Sequence, residues 1–350
     1  MGSVIGNNLK ISIFGESHGA YVGGTIDGLP HGKKIDIEYI RNELFLRSGK
    51  GGTSTSRIEK DDFEIISGVF NGYTTGMPLT ILIKNNNKIS KDYELIKDIP
   101  RPSHSDYVAM KKYDRFNDYR GGGHFSARLT APITALGAIC RKILLDEGVI
   151  IKSHIKSIGS LQSVDFLDVD FIPSDELFPV YDFEIKKIFQ DEILKCREKG
   201  NSIGGSVQCK VSGVSLGYGS PIFDNIEGHI SRLIFSIPGV KALEFGRGIE
   251  MSKSYGNIVN DQYFLDKESV CTKTNNNGGI NGGITNGNEI IFTAYFKPTP
   301  SISIEQNSVD LVKNEERKLV IDGRHDPCIV VRGVCVVNNL IAFGILDMML

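Results

Sequence analysis

The chain of 350 residues contains no tryptophan, and what else it lacks narrows what it can be. None of its six cysteines (Cys140, Cys196, Cys209, Cys271, Cys328, Cys335) forms a Cys-x-x-Cys pair, and Cys196, Cys209 and Cys271 have no histidine at ligand spacing. This argues against a zinc ribbon or a dithiol redox motif and leaves a reduced, cytoplasmic protein without metal as the expectation. No run of about 18 apolar residues occurs. The nearest, "VRGVCVVNNLIAFGILDMML" at 331–350, is interrupted by Asn338-Asn339, so no membrane partner is expected. Met1 leads into polar, glycine-rich sequence without a signal-peptide pattern. The net charge is −2, so no overall basic field recruits nucleic acid, and an anionic ligand must be held by local arginines. No proline- or serine-rich linker, charge block or repeat divides the sequence, and a single domain over 1–350 is expected.

Glycine, by contrast, is abundant, with 39 residues, many of them clustered at 49–52, 121–123 and 278–283. Clustered glycine means tight turns, or backbone that approaches a ligand closely. Around these clusters "DFEIISGVF" (62–70) and "MPLTILIKN" (77–85) read as strands of an antiparallel hairpin joined by "NGYTTG". "GGSVQCKVSGV" (204–214) and "NEIIFTAYFKP" (288–298) read as further strands. A helix is expected over 130–147, where Pro132 is tolerated in the first turn and Ile133, Leu136, Ile139, Ile143 and Leu144 form an apolar stripe ended by Gly148. Residues 184–199 form an amphipathic pattern closed by Gly200, and 224–236 and the stretch from about 334 are further helix candidates. Hairpins mixed with helices favour α+β with antiparallel sheets over strict β-α-β alternation.

Four segments carry chemistry. In "FGESHGA" (14–20) His18 sits between glycines after a strand-like run; it can exchange a proton near neutral pH, or be a loop histidine with no task. In "IPRPSHSDY" (99–107) two prolines stiffen the chain around Arg101, with His104 and Asp106 behind it. That suits a phosphate or carboxylate, the guanidinium as planar fork and the imidazole as proton source; a surface turn capped by aspartate is the alternative. In "YRGGGHFSARLTA" (119–131) a glycine loop flanked by Arg120 and Arg128 feeds a helix, and backbone N–H groups so placed attract anions. It is neither a P-loop nor a dinucleotide fingerprint. The fourth segment runs from "NNNGGINGGITNGN" (275–288) through "FKPTPSISI" (296–304) to "DGRHDPCIVVRG" (322–333). There Lys297, Thr299 and Ser301 can hold phosphate, and Arg324 and Asp326 can stabilise charge and take a proton, or form a salt-bridged turn. Cys328 reads as a buried structural thiol. Together these groups describe a pocket for multiply anionic ligands, with histidines for proton transfer and no metal cluster.

"GESHG", "RPxHxD", "RGGGxxSAR" and "GGIxGGIxNG…KPT…GRHDPC", in that order, resemble the chorismate synthase family, and "SGVFNGYTTGMPL", "SKDY" and "SIPGVKALEFG" do so too; the likeness runs from Gly6 to Asp347. It implies antiparallel sheets sandwiching a helical layer, a homotetramer, and a lyase converting 5-enolpyruvylshikimate-3-phosphate (EPSP) to chorismate and phosphate by a 1,4-anti elimination, the last common step towards the aromatic amino acids. It also implies reduced FMN, with no net redox change, and leaves open whether NADPH is the reductant. By resemblance His104 protonates the departing phosphate, His18 acts near the flavin, and Asp326 helps move the C6 proton. Arg47, Arg101, Arg128 and Arg324 hold substrate anions. The FMN site draws on His124, Phe125, Ser126, Pro238, Gly239, Gly282, Lys297, Pro298, Thr299, Pro300, Ser301 and Arg324, with Lys241 nearby.

The sequence departs from the family pattern in places. Of an arginine run only Arg47 is kept, Thr53 replaces another arginine although Arg57 remains, and Lys50 is a candidate substitute. The glycine of "RPGHAD" is Ser103, an Arg-Ser pair is His124-Phe125, a glutamate is Leu129, and Pro132 enters the following helix. These changes imply weaker FMN or substrate affinity, and leave as alternative a degenerate FMN- or anion-binding homologue with reduced or no activity.

Overall fold

A computed structural model describes residues 2–48, 53, 61–86, 97–321 and 325–350. Two five-stranded antiparallel sheets dominate it. The N-terminal sheet runs Val4–Ile5, Lys10–Gly15, Tyr21–Asp27, Leu79–Lys84, Phe63–Ser67 in spatial order. The expected pairing of "DFEIISGVF" with "MPLTILIKN" is present as Phe63–Ser67 against Leu79–Lys84, with a smaller ribbon, Val69–Phe70 with Tyr73–Thr74, inserted at its tip. Period-2 burial explains the orientation: Leu79, Ile81 and Ile83 are fully buried while Thr80 and Leu82 between them are not. The second sheet runs Val240–Phe245, Ile290–Phe296, Gly205–Ser212, Ile150–Ile158, Leu161–Gln162, and the two strands read from sequence are neighbours in it, Val207 opposite Ala294.

Between the sheets lies a helical layer. The central helix Thr130–Asp146 packs on the N-terminal sheet at Tyr21–Asp27 and Leu79–Lys84. The C-terminal helix Val330–Met349 packs on Ile150–Ile158 and Gly205–Ser212, and Ile37–Ser48 touches both helices. The architecture is the α+β sandwich expected. The two long helices cross closely at Gly137, where a Cβ would lie 2.2 Å from the carbonyl oxygen of Asn339. Buried apolar residues from Leu9 to Leu346 form one continuous cluster through both sheets and this layer. The helix Val330–Met349 is long and apolar enough to cross a membrane, but 94 % of that stretch is buried inside the fold, where it is the core helix. It begins four residues before the sequence pattern suggested, because Val330 and Val331 are buried with the rest.

Polar groups pin the layer. Asp347, fully buried near the C-terminus, accepts hydrogen bonds from the backbone N–H groups of Asn7, Asn8 and Leu9 at 2.7–3.1 Å. Glu43 accepts from Arg141 at 2.9 Å and from the Asn339 amide at 2.6 Å. Caps match the sequence: Asp182 accepts from Ile185 N–H at 2.9 Å to start the helix Phe183–Glu198, and Asn225 does the same for Ile226–Ile234.

Candidate active site

The triple glycine is the centre of the site. Gly121, Gly122 and Gly123 all have positive φ (61°, 83° and 55°), a run that residues with a Cβ avoid. The loop is packed so tightly that side chains would not fit. A Cβ on Gly121 would stand 2.5 Å from His18 Cδ2 and 2.7 Å from both His18 Nε2 and Ser17 Oγ. On Gly122 it would stand 3.2 Å from His104 Cε1 and 3.4 Å from Nε2. Two histidines 86 positions apart in the chain thus meet adjacent residues of one glycine loop. Ser17 N–H donates to Gly123 O at 3.1 Å and closes the first segment onto the third. His18 is 2 % exposed, so it is not a surface histidine.

His104 belongs to a second knot. Asp106 Oδ1 lies 2.6 Å from His104 Nδ1, and Arg101 grips the same carboxylate through Nε and Nη2, each at 2.8 Å. Arg101 Nη1 donates to Ser301 Oγ at 3.1 Å, and Lys297 Nζ donates to Ser103 O at 2.6 Å. Burial holds the His104 pKa below its ordinary value, helped by the charges of Arg101 and Lys297 and opposed by Asp106. Burial alone would raise the Asp106 pKa, but hydrogen bonds from Arg101 and His104 outweigh it and hold the carboxyl far below the usual range. Desolvation, and then the charge of Lys241, lowers the Lys297 pKa.

The 297–301 segment ties this knot to Asp326. Thr299 Oγ1 donates to Asp326 O at 2.8 Å, and Lys297 N–H donates to Gly239 O at 2.9 Å. The Asp326 carboxylate pairs with Arg332 Nη1 at 2.7 Å, and Arg332 Nε donates to Arg47 O at 3.0 Å. Arg47, 1 % exposed, forms a 2.6 Å ion pair with Asp61 and donates to Thr130 Oγ1 at 3.3 Å. Arg128 pairs with the other Asp61 oxygen and donates to Asn85 Oδ1 at 2.8 Å. The Asp61 carboxylate, 2 % exposed, therefore counters both arginines at once.

Most predicted site residues converge here: His18, His104, Arg101, Ser126, Lys297, Thr299, Ser301 and Asp326, with Arg47 and Arg128 joined to them through Arg332 and Asp61. Pro298 and Pro300 share their segment, and Pro238 flanks Gly239. His124 and Phe125 leave the knot for the surface. Both are exposed; His124 Nδ1 is 2.9 Å from Gly15 O, and Phe125 tilts against Tyr113 at 6.3 Å. Gly282 is not drawn in: a Cβ there meets nothing within 4 Å, and its neighbour Gly283 packs on Asn225. Arg120 is held by Asp118 through two bonds of 2.8 Å. Arg324, Arg57, Lys50 and the "SKDY" segment lie outside the described residues. Burial pushes the Cys328 thiol up to about 12, which fits a structural cysteine. A cavity of about 330 Å³ lined in part by Tyr39, Glu43, Arg141 and Asn338 includes none of the predicted site residues, and Glu43 and Arg141 pair with one another. Sequence reasoning missed Asp61 and Arg332, since one charged residue in an ordinary run signals nothing until its partners are known. Among the described residues no His, Cys, Asp and Glu group could hold a metal ion.

The fold and site define an α+β sandwich in which histidines, arginines and a glycine loop from distant segments meet in largely buried surroundings. The family model described as chorismate synthase matches residues 9–350. The chorismate synthase of Pyrococcus abyssi is 43 % identical over 345 residues, covering 99 % of this chain and 97 % of that protein. That of Campylobacter jejuni is 39 % identical, covering 99 % and 95 %. A solved structure titled "Crystal Structure of Chorismate Synthase" superposes with a TM-score of 0.77 at 27 % identity, covering 99 % of this chain and 92 % of that one. The chain belongs to the chorismate synthase family.

Proposed function

We propose that this protein is an active lyase that eliminates phosphate and the C6 hydrogen from EPSP to give chorismate, with reduced FMN as cofactor. The observation that carries the reading is the meeting of His18 and His104 on Gly121 and Gly122, beside Arg101 and Lys297, in a chain of this family. The residues suit a phosphate-bearing flavin. Lys297 is a partly desolvated cation in the same segment as the hydroxyls of Thr299 and Ser301, a donor set that suits a phosphate group. Bound there, reduced FMN would supply reversible electron donation to the departing allylic group.

The chain's own groups do the rest. His104, its pKa lowered, is neutral at pH 7 until a phosphate arrives; the dianion then favours the imidazolium, whose proton passes to the leaving group. Arg101, fixed by Asp106 and Ser301, contributes positive charge beside that phosphate without having to move. Asp326, held through its carboxylate by Arg332 and through its backbone by Thr299, is the group we assign to helping move the C6 proton. His18, pressed on Gly121, is the group we assign to balancing charge on the reduced ring.

The deciding experiment is phosphate release from EPSP, anaerobically, with dithionite-reduced FMN. A folded, FMN-binding protein that releases none would sink the reading. NADPH is tested as reductant by replacing dithionite with it. The sharing of Asp61 by Arg47 and Arg128 favours a second reading, an anion- or FMN-binding homologue with little activity, because it leaves less free charge for the substrate. FMN binding without phosphate release would select it. We further propose a homotetramer, supported by apolar side chains left at the surface, among them Phe223 (92 % exposed), Tyr255 (82 %) and Leu265 (73 %). Sedimentation as a monomer would overturn this.

A further inference from the structure

His104 Nδ1 has three polar neighbours: Asp106 Oδ1 at 2.6 Å, Arg101 Nη2 at 3.1 Å and Ser105 Oγ at 3.4 Å. The first two exclude one another as hydrogen bonds. To accept from the guanidinium, Nδ1 must present a lone pair, and that lone pair would then face a carboxylate oxygen at 2.6 Å with no proton between them. Arg101 does not need the imidazole, because it already donates to both carboxylate oxygens from Nε and Nη2. The arrangement is satisfied with the proton on Nδ1.

We propose that Asp106 is the positioning residue of this site, holding His104 in the Nδ1–H tautomer so that Nε2, on the Gly122 side, is the nitrogen that exchanges its proton with a ligand. Asp106 is itself fixed. It occupies the first turn of the helix Asp106–Lys112, Arg101 N–H donates to its Oδ2 at 3.0 Å, and the side chain is 9 % exposed. Among the described residues, the other charged groups acting on His104 are Arg101 and Lys297, with His18 behind the adjacent glycine. Both cations disfavour a proton on the ring and Asp106 favours it, so the ring stays neutral yet oriented until an anion reaches Nε2. A plain structural role, capping a short helix, would explain the Arg101 bonds but not the 2.6 Å contact to the imidazole.

The tautomer follows from geometry alone; its catalytic use rests on the lyase reading above. The test is ¹⁵N NMR of the full chain labelled at histidine, at pH 8, with the His104 signals identified by their loss in His104→Gln. In the unmutated protein Nδ1 should be the protonated nitrogen and Nε2 the bare one. Arg101→Lys should keep that state. Asp106→Ala should shift the ring towards the Nε2–H form and lower phosphate release from EPSP by roughly 10²-fold. An unmutated ring in the Nε2–H form overturns the proposal, whether or not the alanine variant folds. So does an unchanged tautomer in folded Asp106→Ala, or a changed tautomer with undiminished turnover. If the unmutated protein releases no phosphate from EPSP, the lyase reading falls and the tautomer measurement still judges Asp106.

Discussion

His18 Nε2 lies where a Cβ on Gly121 would come within 2.7 Å of it, so the absence of a side chain at one position sets the place of the other. Gly121→Ala has two separate penalties: the methyl collides with His18 and Ser17, and φ of 61° is strained for alanine. The variant should lose activity by roughly 10²-fold or more, on the scale of removing a proton-transfer group. Steady-state phosphate release, alongside a circular dichroism check of folding, measures it; near-native turnover would show that the loop can yield.

Loss of the His104 imidazole removes a proton source placed beside Arg101. We expect His104→Ala to slow phosphate release by roughly 10²-fold while FMN affinity, measured by titration, changes little. An unchanged rate would take His104 out of the mechanism.

Ser103 adopts φ of 60°, a left-handed backbone that favours glycine, while its carbonyl accepts from Lys297. Ser103→Gly should therefore relieve local strain and stabilise the fold by about 1 kcal/mol, less the entropy that glycine adds to the unfolded chain. Urea unfolding reads this directly, and a destabilised variant would show that the serine side chain contributes something the backbone argument leaves out.

Asp347 satisfies three backbone N–H groups of the N-terminal turn from inside the core. Asp347→Ala leaves them without an acceptor and should destabilise by about 3 kcal/mol. Hydrogen exchange at Asn7, Asn8 and Leu9 should quicken in the variant; if only global stability falls, the clamp is not what that carboxylate provides.

His154 is fully buried among Phe166 and Phe171, with Nε2 on Gln208 and no partner for Nδ1 among the described residues. Burial lowers its pKa from 6.5 to about 4. The unfolded chain takes up this proton near pH 6.5 and the folded one only near pH 4, so stability falls as pH drops through that window, by up to about 3 kcal/mol. His154→Gln should flatten the pH dependence of urea midpoints between pH 7 and pH 4.5. An equal slope in both proteins would assign the acid sensitivity elsewhere.

His124 tests the cofactor side. Its exposed ring is bonded to Gly15 O, and the resemblance implies an arginine at this position. His124→Arg should tighten FMN, as followed by flavin fluorescence titration; no change would place the phosphate away from this position.

Much of the fold could be read along the chain because its signals are local. The run "MPLTILIKN", bounded by turn residues, reads as a strand, and the apolar stripe after Pro132 reads as the central helix. The candidate segments were equally legible as clusters of arginine, histidine and glycine. What residue order could not decide was which charges face one another. Arg47 and Arg128 look like free anion anchors until Asp61 is seen between them, Arg120 until Asp118 grips it, and Arg332 looks like an ordinary helix residue until it meets Asp326. Pairing of charges across 67 positions, as between Asp61 and Arg128, depends on how the sheets and helices close on each other. Sequence determined which arginines, histidines and glycines this protein carries and how they cluster locally. Only the tertiary structure decided which of them are neutralised, which are oriented, and that two distant histidines share one glycine loop, because burial and close approach are properties of the packed chain.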